Sequence, residues 1–173
     1  MLAYICVEER GEADRLLVDL AKRLAARGMR LAGAVQTNDE WDPDRACDMN
    51  LHVLGEAPRV VLISERLGAE ATGCRLNVGA LEEVAGLVEA ALDGAELLIV
   101  NKFGKREAEG GGFRPLIAKA LEEGVPVLTA AGPTDSVRFL DWAGDMATLV
   151  EPRRMERWAL LQAGRGAEAE ALD

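Results

Sequence analysis

Short apolar segments alternate with longer amphipathic segments from the start of the chain to about residue 162. Each apolar segment is bounded by Gly, Pro or charged residues and has the length of a buried strand rather than of a helix. The pattern therefore predicts strands at residues 2–7, 30–36, 96–100, 125–130 and 146–150.

Helices are predicted between these strands, where apolar residues recur every three or four positions. The first apolar stripe runs from Ala13 to Leu24, and Gly28 follows where a left-handed C-terminal cap belongs. The second runs from Leu81 to Leu92 and is preceded by Asn77, a favourable N-cap. Further helices are predicted at about 115–123, from 134 or 135 onward, and at 152–162.

This order of elements predicts an α/β fold with three layers and a mostly parallel sheet. Two more short strand candidates, 49–54 and 59–64, are joined by Gly-Glu-Ala-Pro and predict a small antiparallel hairpin inserted beside that sheet. The chain is expected to form a single domain over residues 1–162. Residues 163–173, rich in Gly, Ala and Glu, are predicted to be a flexible acidic tail.

Composition narrows the classes of partner. The chain has 173 residues, 49% of them hydrophobic, and a net charge of −10. This charge argues against nonspecific binding to nucleic acid or to an anionic membrane. No apolar run approaches the roughly 18 residues of a membrane span, and no basic segment precedes the apolar N-terminus. We therefore expect a cytoplasmic protein, and the sequence leaves homo-oligomer formation open.

Cysteine and histidine offer little chemistry. Cys6, Cys47 and Cys74 are far apart, which excludes a disulfide framework and a structural zinc site. Cys6 is predicted to lie in the core of the first strand, whereas the sequence assigns no role to Cys47, Cys74 or the polar loop 37–47. His52, the one histidine, is predicted to be a hydrogen-bonded or solvent-facing strand residue.

The strongest candidate for a binding site is the segment 96–115, a buried strand followed by a glycine-rich loop and by Pro115, a favourable first residue for a helix. Residues 101–114 contain four basic and two acidic residues, a net charge of +2 in an acidic chain. Basic side chains, glycine amides and a helix N-terminus together are suited to binding an anion. The predicted anion-binding residues are Lys102, Lys105, Arg106, Gly110, Gly111, Gly112 and Arg114, and Arg66 and Arg75 from a second loop could complete the set.

Two simpler interpretations remain open for these residues. The basic loop could be a solvated surface loop whose charges pair only with Glu107 and Glu109, and Arg66 and Arg75 could be ordinary surface arginines. No residue cluster indicates a catalytic group or a metal site. The expected ligand is therefore a small anion, with no certain cofactor.

The turn after the first strand lacks the Gly-x-x-x-x-Gly-Lys-Ser/Thr sequence of a phosphate loop. Glu8, Glu9 and Glu12 stand there instead, and their carboxylates would repel a triphosphate. The same acids are favourable at a helix N-terminus, where they complement the helix dipole. A nucleotide grip of the ordinary kind is not expected at this turn.

The segment 95–107 resembles the small P-loop nucleoside-triphosphatases related to nucleotide kinases. Leu97–Val100 matches their strand, and Gly104, Lys105 and Glu107 match the residues that follow it, but Asn101 and Lys102 stand where those proteins have Asp-Glu. The chain is still more similar to an uncharacterised bacterial family that has the segment Asn-Lys-Phe-Gly-Lys-x-Glu-x-x-Gly-Gly-Gly. Genes of that family often neighbour molybdate-uptake genes, so the resemblance implies molybdate, tungstate or a nucleotide as ligand.

Three functions follow from these observations. The first is a non-hydrolytic anion-binding protein on a P-loop-like scaffold with degenerate motifs, because Asn101 and Lys102 cannot supply the carboxylate that holds magnesium in phosphoryl transfer. The second is a divergent nucleoside-triphosphatase or nucleotide kinase. The third is a regulatory interaction module with a vestigial site. The sequence favours binding over catalysis.

Overall fold

The computed structural model describes residues 1–38, 48–65 and 76–172. The described strands are β1 (Leu2–Ile5), β2 (Leu31–Asn38), β3 (Met49–Leu54), β4 (Arg59–Leu62), β5 (Leu97–Val100), β6 (Val127–Ala130) and β7 (Ala147–Leu149). The described helices are α1 (Glu12–Ala26), α2 (Val78–Ala90), α3 (Lys105–Ala108), α4 (Arg114–Glu122), α5 (Pro133–Ala143), α6 (Met155–Gln162) and α7 (Gly166–Glu170).

The strands form one seven-stranded sheet in the order β4-β3-β2-β5-β6-β1-β7. The five strands β2, β5, β6, β1 and β7, which are adjacent in this order, are parallel to one another. In contrast, β3 is antiparallel to both of its neighbours, β2 and β4. The prediction of a mostly parallel α/β sheet with an antiparallel hairpin is therefore confirmed. The hairpin extends the sheet beyond β2.

Two apolar cores cover the two faces of the sheet, because successive strand residues point to opposite faces. In β5, Leu98 and Val100 face the core formed by α2, α4 and α5, and Leu97 and Ile99 face the core formed by α1, α6 and α7. The four side chains are fully buried. The result is the predicted three-layer arrangement.

The local predictions hold at several positions. The Asn77 side chain accepts a hydrogen bond from the Ala80 amide at 2.9 Å and caps α2, as predicted. Gly28 follows α1 with a φ of 72°, which suits the predicted left-handed cap. His52 is hydrogen-bonded to the Thr37 hydroxyl at 2.7 Å, in agreement with a satisfied strand histidine.

Three local predictions are corrected. Residues 105–108, expected to be part of a loop, form the single helical turn α3. Cys6 lies one residue beyond β1 and is half-buried rather than in the middle of the strand. Within residues 163–173, where the sequence predicted no helix, residues 166–170 form α7 and Ala169 is fully buried against the α1 side of the core, whereas the flexibility of the tail stays a prediction.

Some predicted features fall outside the described residues. They are Arg66, Arg75, Cys47, Cys74 and the residues 39–47 of the polar loop. In the described part of the chain, every helix is too short or too polar to cross a membrane.

Candidate functional site

The carboxyl ends of the parallel strands β1, β2, β5 and β6 lie along the same edge of the sheet, the one formed by strand ends rather than by an outer strand. Ligands bind at this edge in open parallel α/β folds. The basic segment, which we define as residues 101–114, begins at this edge after β5. Its start is held beside β6 by a hydrogen bond from the Phe103 amide to the Ala130 carbonyl oxygen at 2.8 Å. The strand ends thus place the segment predicted from the sequence where a ligand would bind.

Asn101 is the first residue of this segment and is only 3% exposed. Its Oδ1 accepts a hydrogen bond from the Gln36 amide at 2.8 Å, and its Nδ2 donates to Asp14 Oδ1 at 2.8 Å. A backbone amide can only donate, so the oxygen of Asn101 must face Gln36 and the amino group must face Asp14. The second oxygen of Asp14 accepts from Asn38 Nδ2 at 3.0 Å. Both oxygens of this carboxylate are therefore engaged with side-chain amides.

Lys102 contacts the opposite layer from Asn101, which continues beyond β5 the alternation of its side chains. Its ammonium lies 3.7 Å from Asp135 Oδ2 at the start of α5, and Arg138 Nη1 donates to the other oxygen of Asp135 at 3.2 Å. The Lys102 side chain is 61% exposed. An exposed ammonium with a partner at this distance is available to a dissolved anion, because such surface pairs contribute little stability.

Arg106 binds a carboxylate from a different element of the chain. Its Nε and Nη2 donate to Glu82 Oε1 of α2 at 3.1 and 2.8 Å, and the Gly112 amide donates to the same oxygen at 3.0 Å. The hydrogen bond from Gly112 and then that from Arg106 stabilise the ionised carboxylate and hold the pKa of Glu82 below its ordinary value. The carboxylate thus occupies two of the predicted anion-binding groups.

Glu107 is a buried carboxylate that binds two backbone amides of its own segment. Its side chain is only 5% exposed, and its Oε2 and Oε1 accept hydrogen bonds from the amides of Gly104 and Phe113 at 3.0 and 3.2 Å. A Cβ on Gly112 would lie 2.2 Å from Glu107 Oε1. Gly112 therefore has to be a glycine because Glu107 packs against its backbone, and its φ of 55° adds a second reason.

Arg114 contacts an aromatic ring and a carbonyl oxygen. Its guanidinium lies 5.3 Å from the ring centroid of Trp142, and Nη1 donates to the Ala108 carbonyl oxygen at 3.2 Å. Trp142 in turn stacks on Phe103, with ring centroids 5.4 Å apart. This stack fixes a cation at the start of α4 without neutralising it.

The remaining predicted residues are placed as follows. Lys105 is 82% exposed and lies 3.8 Å from Glu109. The amides of Gly110 and Gly111 donate to the carbonyl oxygens of Glu107 and Arg106 at 3.0 and 3.1 Å. The structure thus gives all three glycine amides internal acceptors. Their role as ligand donors remains a prediction, and Arg66 and Arg75 lie outside the described residues.

The turn between β1 and α1 carries the acidic residues that the sequence analysis noted. Glu12 and Asp14 are in the first turn of α1, and Glu9 accepts a hydrogen bond from Arg15 at 2.9 Å. Sequence reasoning missed the roles of Asp14, Gln36 and Glu82, since each is a polar residue on an amphipathic element with no motif around it. The partners in these contacts are between 24 and 87 residues apart in sequence, so only the fold reveals them.

Comparison with known proteins now assigns a family. The model of DUF2478, described as a protein of unknown function, matches residues 2–158. The chain belongs to the DUF2478 family. This match agrees with the resemblance predicted from residues 95–107 and from the glycine-rich segment 101–112.

One curated relative and two solved structures extend the comparison of this DUF2478 chain. Molybdenum import ATP-binding protein ModC 2 of Bradyrhizobium diazoefficiens is 30% identical over 161 residues, which are 91% of this chain and 18% of that protein. The chain thus spans less than a fifth of the length of this relative.

The two solved structures share the fold. THEP1 from Aquifex aeolicus superposes with a TM-score of 0.60 at 19% identity, covering 90% of this chain and 93% of that one. A human cancer-related nucleoside triphosphatase superposes with a TM-score of 0.59 at 12% identity, covering 98% and 97%. At these identities the likeness establishes the P-loop NTPase-like fold of this DUF2478 chain and no activity.

Proposed function

We propose that this DUF2478 domain binds a small anion at the basic segment without hydrolysing it. The ligand class is an oxyanion such as molybdate or tungstate, or the phosphate group of a nucleotide. The observation that carries the proposal is the pair that follows β5, a buried amide at Asn101 and an exposed ammonium at Lys102.

This pair is unsuited to metal-assisted phosphoryl transfer. Such transfer needs a carboxylate to hold magnesium and a group to position the attacking water. Asn101 offers a neutral oxygen that the Gln36 amide already occupies, and the nearby carboxylate of Asp14 is bonded to Asn101 and Asn38. The ammonium of Lys102 would repel the metal ion.

The same surroundings suit an anion that needs no metal. Lys102 and Lys105 are exposed point charges, and the guanidinium groups of Arg106 and Arg114 offer planar forks of donors. Arg114 is held in place by Trp142, so part of the entropy of ordering a long side chain is already lost before binding. The net charge of +2 of residues 101–114 favours anions locally in an acidic protein.

Thermal denaturation with molybdate, tungstate, sulfate, phosphate, ATP and GTP tests the proposal. A ligand at 100 times its dissociation constant stabilises the folded state by about 2.7 kcal/mol. For a chain of this size, about 1 kcal/mol raises the midpoint by roughly 2–4 °C. We expect at least one of the anions to raise the midpoint by several degrees, and an unchanged midpoint with all six would refute anion binding.

Variants locate the site and separate binding from catalysis. Lys102→Ala and Arg114→Ala should each reduce the ligand-induced shift, whereas Lys22→Ala, an exposed lysine of α1, should leave it unchanged. Phosphate release from ATP or GTP with magnesium should remain at the level of the blank. Magnesium-dependent release that is lost in Lys102→Ala or Lys105→Ala would instead favour a divergent nucleoside-triphosphatase.

A second candidate is a regulatory interaction module. It is favoured by one observation, that 91% of this chain matches only 18% of the relative named as a molybdenum import ATP-binding protein. In that relative the homologous segment is part of a much longer chain, which suggests that the domain acts next to an ATP-binding protein. Analytical ultracentrifugation of this chain mixed with such a protein would show a joint sedimenting species, and independent sedimentation would exclude the association.

A further inference from the structure

One carboxylate oxygen in this protein is bound the way proteins bind an oxygen of a dissolved oxyanion. Glu82 Oε1 accepts two hydrogen bonds from the Arg106 guanidinium, at 3.1 and 2.8 Å, and one from the Gly112 amide at 3.0 Å. Guanidinium and backbone donors that converge on one oxygen form the usual subsite for phosphate or sulfate. Here the oxygen comes from α2, while all the donors belong to the basic segment.

The donors also have contacts that do not involve Glu82. The Arg106 guanidinium packs beside Gly111, where an added Cβ would be 2.3 Å from Arg106 Cζ. Glu107 fastens both ends of the loop through the amides of Gly104 and Phe113. The Gly112 amide is therefore directed to the same place whether or not a carboxylate is there.

Glu82 itself is held by little else. Its side chain is 43% exposed, and within the described residues its carboxylate accepts hydrogen bonds from Arg106 and Gly112. Solvent can therefore receive its carboxylate if another anion takes its place. Arg106 is 35% exposed, so a dissolved anion can reach the guanidinium.

We propose that Arg106 and the Gly112 amide form a subsite for a tetrahedral oxyanion and that Glu82 occupies it as an internal competitor. The inference rests on the proposed anion-binding function and specifies the position at which an oxygen of the ligand binds. Displacement of Glu82 is the step that lowers the affinity of the resting protein. The carboxylate thus keeps the subsite closed to weakly bound anions.

Isothermal titration calorimetry at neutral pH with sodium molybdate and with sodium sulfate tests the subsite. Glu82→Ala removes the competitor, and we expect its dissociation constant for the preferred anion to be about tenfold lower than that of the wild type. A tenfold change is about the free energy of one charge-assisted hydrogen bond. In Glu82→Ala the ligand no longer has to break such a bond between Glu82 and the subsite. Glu82→Gln, which keeps an oxygen but no charge, should give a smaller gain.

The matched control is Glu89→Ala. Glu89 is also an exposed acid of α2 and binds Lys119 at 2.8 Å, so its loss removes the same charge from the same helix. A gain equal to that of Glu82→Ala would reduce the effect to general electrostatics and overturn the proposal. Combining Arg106→Ala with Glu82→Ala should abolish the gain, and a gain that survives would overturn the proposal as well.

The outcomes distinguish this inference from the proposed function. If the wild type binds an anion and Glu82→Ala binds it no more tightly, the internal competitor is refuted while anion binding stands. If the wild type binds neither anion and Glu82→Ala binds one, the competitor is established as a block to binding. If neither protein binds molybdate or sulfate, the internal competitor is refuted, and the thermal denaturation with all six anions decides the proposed function. Circular dichroism of each variant shows that the comparison is made between folded proteins.

Discussion

Arg165 donates hydrogen bonds from Nε and Nη2 to the two carboxylate oxygens of Glu96, at 3.0 and 3.3 Å. The same guanidinium donates to the carbonyl oxygens of Arg27 and Gly28 after α1, at 3.0 and 3.2 Å. Because Glu96 directly precedes β5 and α7 follows Arg165, one side chain joins the C-terminal segment to the start of the strand that leads to the site. We expect the order of the C-terminal segment to depend on these contacts of Arg165.

Replacing Arg165 by Ala should therefore release α7. We expect a loss of about 1–3 kcal/mol in the free energy of unfolding, the usual range for a charged group that leaves its partners unsatisfied. Urea denaturation measures the loss, and limited proteolysis should show earlier cleavage after residue 163. Arg153→Ala is the control, since Arg153 binds only the exposed Glu151 among the described residues, and its midpoint should match the wild type.

The stability of the fold should depend on the ionisation of Glu96. Burial disfavours its charged form, but the Arg30 amide, the hydrogen bonds from Arg165 and both positive charges outweigh burial and hold the pKa of Glu96 below its ordinary value. Because the pKa is depressed, ionised Glu96 stabilises the folded state. This contribution is fully present at pH values above the pKa of the unfolded chain, which is about 4.3. That contribution is lost as the pH falls through the lower, folded pKa.

A comparison with Glu96→Gln isolates this contribution. The difference in thermal midpoint between the wild type and Glu96→Gln should be largest above about pH 5 and should shrink as the solution is acidified below the unfolded pKa. A difference that is constant over this range would mean that the charge of Glu96 does not contribute.

Gly112→Ala should be markedly more destabilising than an ordinary substitution of a left-handed glycine. The new Cβ would meet the Glu107 carboxylate, which is itself fixed by two backbone amides. Gly124→Ala is the matched control, because Gly124 has a φ of 79° but no atom within 4 Å of the added Cβ. We expect a loss of about 1 kcal/mol for Gly124→Ala from backbone strain alone and at least twice that for Gly112→Ala. Equal losses in urea denaturation would contradict the packing argument.

Glu107→Gln should destabilise the loop although it changes only one atom. Both oxygens of Glu107 accept from backbone amides, so either orientation of glutamine turns an amino group toward an amide hydrogen. The unsatisfied donor should cost about 1–3 kcal/mol in the free energy of unfolding. Glu109→Gln, at the exposed end of the same turn, should leave the unfolding midpoint close to that of the wild type.

Asn101→Asp should introduce a repulsive pair of carboxylates, because the new oxygen would face Asp14 at the distance of the present hydrogen bond. Two such carboxylates raise the pKa of one of them, so the variant should be less stable than the wild type at neutral pH and recover part of the difference in acid. Adding Asp14→Asn to this variant again pairs one carboxylate with one side-chain amide, as in the wild type. The double variant should therefore recover most of the loss in the unfolding midpoint. A double variant as unstable as Asn101→Asp would argue against the pairing.

The sequence predicted the elements well and the contacts of the site poorly, for physical reasons. The alternation of apolar strands with amphipathic helices depends on local periodicity, so β5, α2 and its Asn77 cap could be inferred directly. The ion pair between Glu82 and Arg106 joins two elements that the folded chain brings together, and no local pattern specifies it. The helix α7 was missed because Gly, Ala and Glu have no apolar stripe, and its stability comes from Arg165 and the burial of Ala169.

The alternation along β5 has a mechanical consequence for the segment that follows it. Asn101 is anchored to α1 through Asp14, and the adjacent Lys102 contacts α5 through Asp135, so two neighbouring residues are attached to the opposite outer layers. An anion that binds Lys102 would compete with Asp135 of α5, and it would lie next to the residue that contacts Asp14 of α1. Amide hydrogen exchange should therefore slow in the first turns of α1 and α5 together when the anion binds. The sheet separates these helices in space, and the peptide between Asn101 and Lys102 joins two residues that contact them.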